Sequence, residues 1–321
     1  MVELMLTLVL QRLLWSLLVF ALVAVVIFVL LELLPGDAAT AYLGRTATPA
    51  RTAQLRERLG LDRPAVVRFA AWTSGVLRGD FGTSLARRAP VATFLWVRLR
   101  NSLLLGLLAT LISVPLALLL GVLAGLTRDR WPDLLLSLLA LFSISLPEFV
   151  IGTLLIFSFS LHFTLLPAVT LVDAAAPLAE LLPYTVLPTA TLTLMLSGYL
   201  LSLMRTSIID ALRSEHVQMA RLKGLPPLRV LLWHALPGAL APVVTASAMI
   251  IAWIIGNLVV VEAVFNYPGI GTLALNAIQD RDLPMVQAIV LVLAGCHLLI
   301  NLLADLLTLA LNPQLRTLRM R

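Results

Sequence analysis

Charged residues are scarce along this chain and apolar ones are gathered into long runs, a pattern of membrane-length helices. Leu13 to Leu31 is 19 residues without a charge, preceded by Arg12 and followed by Glu32 and the helix-stopping pair Pro35-Gly36. Further uncharged runs cover Asn101 to Thr127, Leu181 to Met204, Pro237 to Val261 and Leu283 to Ala304, and Leu134 to Leu161 is interrupted only by Glu148. About 20 apolar helical residues cross a bilayer, so these runs predict six spans. A signal peptide is the competing reading of the first run, but that run is longer than the roughly 7–15 apolar residues of a signal. It is read as an uncleaved span.

Residues 35–100 have soluble-type patterning. Thr48 is placed to cap a helix, Pro49 to begin it, Leu55, Leu59 and Leu61 to form its apolar edge, and Gly60 to stop it. A second apolar cluster, Phe69, Trp72 and Leu77, precedes the turn Gly79-Asp80-Phe81-Gly82. The expected organisation is therefore residues 1–34 as the N-terminus and first span, 35–100 as a small folded insert, and 101–321 as spans two to six. A loop at about 205–237 separates spans four and five.

Composition sharpens this. Of 321 residues 60% are apolar and 12% charged, against roughly 25% charged in a soluble protein. The mean hydropathy is +1.00. The net charge of +6 comes from 22 Arg and one Lys against 17 acids; in a membrane protein it marks the cytoplasmic loops and does not call for nucleic acid. With the N-terminus inside, Arg12, Arg128, Arg130, Arg205, Arg213, Arg221, Lys223, Arg229, Arg316, Arg319 and Arg321 are cytoplasmic, while the short opposite loops hold only Arg281. The 11 Arg of residues 35–100 run against this count, in a segment just beyond the length over which the charge rule acts.

The lone cysteine, Cys296, excludes an internal disulfide. The lone lysine, Lys223, follows Leu222, so the chain carries no GxxxxGK[ST] phosphate loop. No HExxH motif is present, and no zinc site is expected.

The loop between spans four and five reads SEHVQMARLKGLPPLRVLLWHALPGALAPVV. Val217, Ala220 and Gly224 share one edge at helical spacing, Arg221 and Lys223 point elsewhere, and Gly224 with Pro226-Pro227 ends the helix. A helix with such a small-residue edge suits a partner's groove. The segment resembles the cytoplasmic signature of the permease subunits of binding-protein-dependent ABC importers, E-A-A-x-x-x-G-x(9)-I-x-L-P. Ala220, Gly224, Leu236 and Pro237 agree with it; Gln218, Met219 and His234 depart from it. The peptide/nickel/glutathione branch form is closer: V-x-x-A-R-x-K-G-L is met from Val217 to Leu225, and V-L-L-x-H-A-L from Val230 to Leu236. Leu34-Pro35-Gly36-Asp37-Ala38, Leu59 to Pro64, Gly79 to Ser84, Val261-Glu262-Ala263-Val264-Phe265, Pro268-Gly269-Ile270-Gly271, Arg281 to Pro284, and Asn301 to Asp305 with Asn312-Pro313 are similar to that branch in the same order.

The resemblance implies an all-α integral membrane protein of the bacterial cytoplasmic (inner) membrane, with the six-helix architecture of type I ABC importer permeases and a small helical extracytoplasmic insert after the first span. Both termini would be cytoplasmic. It implies no catalysis and no cofactor in this chain, with ATP and Mg on two partner ATPase subunits. A second similar permease chain and an extracytoplasmic solute-binding protein complete the set. The expected cargo is short peptides, with nickel chelates or glutathione as alternatives and a secondary transporter as the more distant reading.

Val217, Gln218, Met219, Ala220, Arg221, Lys223 and Gly224 are the expected ATPase-coupling residues; for Arg221 and Lys223, pairing with ATPase acids and simple positive-inside placement stand equal. Glu148 is a solute-path candidate or a polar residue satisfied at a helix kink, since a carboxylate at membrane depth is costly unless it faces protein or water. His297, Asn301 and Asp305 recur at steps of four, as a path lining or a polar contact between helices. Pro35, Gly36 and Asp37 form the turn after span one. Glu262 is expected to support the re-entry around Pro268 and Gly269.

Overall fold

The structure, a computed structural model, describes residues 2–33, 48–60 and 62–311. Pro35, Gly36, Asp37, Leu61, Arg316, Arg319 and Arg321 lie outside them, as do the side chains of Leu55 and Leu59. The described elements are helical, with one isolated bridge between Thr83 and Pro90. In chain order they are α1 (Val2–Glu32), α2 (Pro49–Leu59), α3 (Ala65–Leu77), α4 (Val91–Leu126), α5 (Trp131–Ser145), α6 (Glu148–Leu155), α7 (Leu178–Arg213), α8 (Glu215–Leu222), α9 (Pro227–Val230), α10 (Leu236–Val264), α11 (Ile270–Gln279) and α12 (Leu283–Leu311). Two π-helical segments, Ile156–His162 and Leu231–Ala235, extend α6 and α9.

Among the described residues five helices are long and apolar enough to cross a membrane, and α5 with α6 makes a sixth crossing if taken as one broken span. The break bends by 111° and has a local cause. Proline forces its predecessor out of the helical region: Leu146 is extended (φ −94°, ψ 134°), and a new helix begins after Pro147. The third span is thus not the straight run that Leu134 to Leu161 suggests.

Helices α4 and α7 have 36 residues each, about 54 Å at 1.5 Å per residue, against about 30 Å of hydrocarbon. They are too long to end where the charges begin. Residues 91–100, expected in the insert, are the first turns of α4, and residues 205–213, expected in the loop, are the last turns of α7. What lies between α7 and α10 is residues 214–235.

The chain divides into two compact units. The first comprises Met1–Ser102, Asp173–Ala175 and Pro268–Leu298. Here the expected helix in the insert forms as α2: Thr48 Oγ1 accepts from Arg51 N at 3.4 Å, Pro49 opens it and Gly60 closes it at φ +62°. Helix α3 packs on α1 through aromatic rings, Phe28 to Phe69 at 5.2 Å and Phe28 to Trp72 at 6.2 Å between centroids. Phe81, Val91, Leu95, Ile270, Leu273, Met285 and Ile289 form a buried core.

The second unit comprises Leu103–Val172, Ala176–Tyr267 and Leu299–Arg321, and α7 is its most buried helix. Small residues set its packing. A β-carbon at Gly121 or Gly125 of α4 would run into Met204 or Ile208 of α7, and one at Gly198 of α7 would meet the Ala140 carbonyl of α5 at 2.9 Å.

Candidate functional site

The segment that joins α7 to α10 is a short helix, a turn and a second short helix. Helix α8 ends because Gly224 takes φ +73°, a left-handed conformation in which a β-carbon is strained. Gly224 N then donates to Arg221 O at 2.9 Å and Leu225 N to Ala220 O at 3.4 Å, the paired bonds of a Schellman stop. No atom lies within 4 Å of the position a β-carbon would take at Gly224, so glycine is required by the backbone and not by crowding.

Two side chains of α8 turn inward. Val217 is fully buried and Ala220 is 4% exposed, in one cluster with Leu201, Met204, Ile208, Val230, Ala235 and Ala239. This corrects the expectation that the small-residue edge enters a partner's groove: Val217 and Ala220 are already covered by the chain's own α7, α9 and the π-helical segment Leu231–Ala235, and only Gly224 of that edge is left exposed. The opposite face is open. Gln218, Met219, Arg221, Leu222, Lys223 and Gly224 are exposed, with Leu228 and Trp233 beside them, and Met219, Leu222 and Trp233 are 58%, 82% and 76% exposed. Gln218 Nε2 donates to Arg213 O at 2.9 Å, and His216 Nε2 lies 3.2 Å from His234 O. The result is a helix seated on the core that leaves apolar Met219 and Leu222 exposed together with Arg221 and Lys223.

The other expected residues are dispersed. Glu148 is half-buried in the first turn of α6, directly after the bend. Helix α6 packs on α7 and α10, whereas Asn301 and Asp305 are half-buried on α12 with His297; these candidates belong to different helices. Glu262 is fully buried in the last turns of α10, and its carbonyl accepts from Tyr267 N at 2.8 Å. Pro268 O accepts from Asn101 Nδ2 at 2.9 Å, and Gly269 is the capping position of α11.

Three features escape the sequence reading. Arg205, counted there only as a cytoplasmic charge, donates from Nε and a terminal nitrogen to both oxygens of Asp133, at 2.5 and 2.7 Å; this ties α7 to the start of α5. Nothing in the local pattern around Asp133 marks it. Gly121 and Gly125 form a G-x-x-x-G pair inside an apolar run, a recognisable close-packing signal. Asp282 accepts from Ser84 Oγ, from Leu85 N at 3.2 Å, from Ala86 N at 3.3 Å and from Met285 N at 3.4 Å. Two motifs nearly 200 residues apart, Gly79 to Ser84 and Arg281 to Pro284, are therefore parts of one buried junction. Among the described residues, no group of three His, Cys, Asp or Glu is arranged to hold a metal ion.

Membrane-length helices, a proline-broken span and an exposed helix seated on the core define a helical membrane protein. The family described as "Binding-protein-dependent transport system inner membrane component" matches residues 117–317, and its N-terminal companion matches residues 5–100; the chain belongs to this family. It is 36% identical over 308 residues to a probable peptide ABC transporter permease of Sinorhizobium fredii, covering 96% of this chain and 98% of the relative. It is 37% identical over 312 residues to a glutathione transport system permease of Salmonella typhimurium, covering 97% and 99%. An amino acid ABC transporter crystal structure shares the fold, with TM-score 0.53 at 17% identity over 66% of this chain and 92% of that one. The protein is thus an inner-membrane ABC importer permease of the peptide/glutathione branch, which sets aside the secondary-transporter reading.

Proposed function

We propose that this permease carries short peptides inward and is driven by separate ATPase subunits that grip the exposed face of α8. The supporting observation is the two-sided character of that helix. Val217 and Ala220 seat it on α7 and on the segment 227–235 that leads into α10, while Met219, Leu222, Arg221 and Lys223 are exposed, so a push on the outer face is passed to α7 directly and to α10 through that segment. Two ATPase subunits would bind ATP and Mg, and this chain would pair with a second similar permease and take its solute from an extracytoplasmic binding protein. Both termini would lie in the cytoplasm and the 48–90 region on the opposite side. ATP-driven closure would then shift the spans between outward and inward openings, a change in population between two arrangements.

Glutathione, itself a tripeptide, is the second reading, because relatives named for peptides and for glutathione match this chain at nearly equal identity. Competition between labelled dipeptide and glutathione for uptake into proteoliposomes separates the two.

The test of coupling uses exposed positions, so that folding is spared. Met219→Asp and Leu222→Asp should lower retention of the ATPase subunits about tenfold or more while leaving the melting temperature of the permease unchanged. Unaltered co-purification and transport in both variants would remove α8 from the coupling role.

A further inference from the structure

We propose that the cleft beside the end of α1 binds the headgroup of a phospholipid that carries both a phosphate and a primary ammonium. The cleft has a volume of about 340 Å³, and Phe28 and Glu32 of α1, Arg63, Arg68 and Trp72 at and within α3, and Gln287 of α12 are among its walls. That is room for about ten waters, enough for a phosphate joined to a two-carbon amine.

The walls carry fixed charges of both signs. Arg68 donates to Glu32 Oε1 and, from Nε, to the Arg63 carbonyl at 3.2 Å. It is thereby held in place, its side chain 18% exposed and that of Glu32 38%. Arg63 is exposed at the rim. Guanidinium groups bind phosphate oxygens by charge-assisted hydrogen bonds, and the Glu32 carboxylate accepts from an N–H donor a few ångströms away. Phe28 and Trp72 add aromatic rings, which attract ammonium groups. A purely anionic headgroup would meet Glu32 unfavourably, and a quaternary ammonium offers it no hydrogen.

The surroundings identify the source as lipid. Leu14, Leu17, Leu22, Leu30 and Leu33 are each more than half exposed on different sides of the α1 segment, and Val66 and Leu77 of α3 are 78% and 83% exposed. Acyl chains cover such surfaces, and a cleft where an apolar run meets aromatic and charged residues lies at headgroup depth. The inference stands apart from the identity of the transported solute.

Native mass spectrometry of the full chain, with matched-acyl phosphatidylethanolamine, phosphatidylglycerol and phosphatidylcholine, tests it. Phosphatidylethanolamine should be retained about tenfold better than either other lipid, and Arg63→Gln should lower the retention of all three severalfold while keeping their order, because each carries the phosphate. Glu32→Gln should bring phosphatidylethanolamine down to the level of phosphatidylcholine. Because Glu32→Gln also loosens Arg68, melting curves accompany each variant, and the ranking of lipids on the unaltered chain needs no variant at all. Equal retention of the three lipids, or retention indifferent to Arg63→Gln, overturns the proposal. So does displacement of the lipid by free phosphoethanolamine or a dipeptide at equal concentration, which would mark a site for soluble zwitterions.

Discussion

Replacing Gly121 by alanine adds one carbon to a helix contact that has no space for it. That carbon would sit 2.5 Å from Met204 Cβ and 2.9 Å from the Leu201 carbonyl oxygen. Both atoms are fixed to the α7 backbone, so no rotamer change relieves the clash. Restoring ordinary contact, which begins near 3.4 Å, requires the helices to part by roughly 1 Å, and loss of close contact along that seam forfeits dispersion energy. Overpacking of this kind costs about 1–3 kcal/mol, and the better helix propensity of alanine returns up to about 1 kcal/mol. A net loss of about 1–2 kcal/mol is expected for Gly121→Ala. Gly125→Ala meets Ile208, a fully buried β-branched side chain with little rotamer freedom, and should lose a similar amount. Gly256→Ala in α10 is the control: among the described residues, no atom beyond its own stretch of helix lies within 4 Å of its β-carbon position, so it should be neutral or gain up to about 1 kcal/mol. Reversible unfolding of the chain in mixed micelles measures all three. If Gly121→Ala and Gly256→Ala move the midpoint in the same direction, the close-packing argument is refuted.

Asp282→Ala should cost about 1–3 kcal/mol, since it leaves the Ser84 hydroxyl and three main-chain N–H groups short of an acceptor; faster amide exchange at Leu85 and Ala86 would report it locally. Arg205→Leu should cost about 1–3 kcal/mol, since the Asp133 carboxylate loses its charged partner and keeps only its bonds from Asp129 N and Ser137 Oγ, and Asp133→Leu with Arg205→Leu should recover part of that loss. A double mutant as unstable as the sum of the two single changes would argue against the pair.

Helix boundaries were legible where the chemistry that makes them is local. Thr48, Pro49 and Gly60 bracket α2 as expected because a cap hydroxyl, a proline lacking N–H and a residue at positive φ act within a few bonds of themselves. Gly224 stops α8 for the same reason. Pro147 marked a kink, but its neighbours cannot say how far the chain turns there. The spans themselves were read from where charge is absent, which located their cores and not their ends. Nothing in a charge count reveals that α4 and α7 run to 36 residues each, because their added turns are held by protein contacts.

The face of α8 shows where local reasoning stops. Val217 and Ala220 are small and apolar, so the pattern says that they are covered; it does not say by what. The structure supplies the cover from α7, α9 and the segment Leu231–Ala235 and so leaves Met219, Leu222 and Trp233 exposed. Asp133 and Arg205, or Ser84 and Asp282, likewise pair across 72 and 198 residues, distances over which sequence spacing carries no geometric information. By itself the sequence determined that this chain lives in a membrane, roughly where it crosses, and which family it resembles, since these follow from transfer energy and short motifs. Tertiary structure alone decided which side of each element is spent on the chain's own packing and which is left for lipid or a partner, because that depends on what the rest of the chain brings against it.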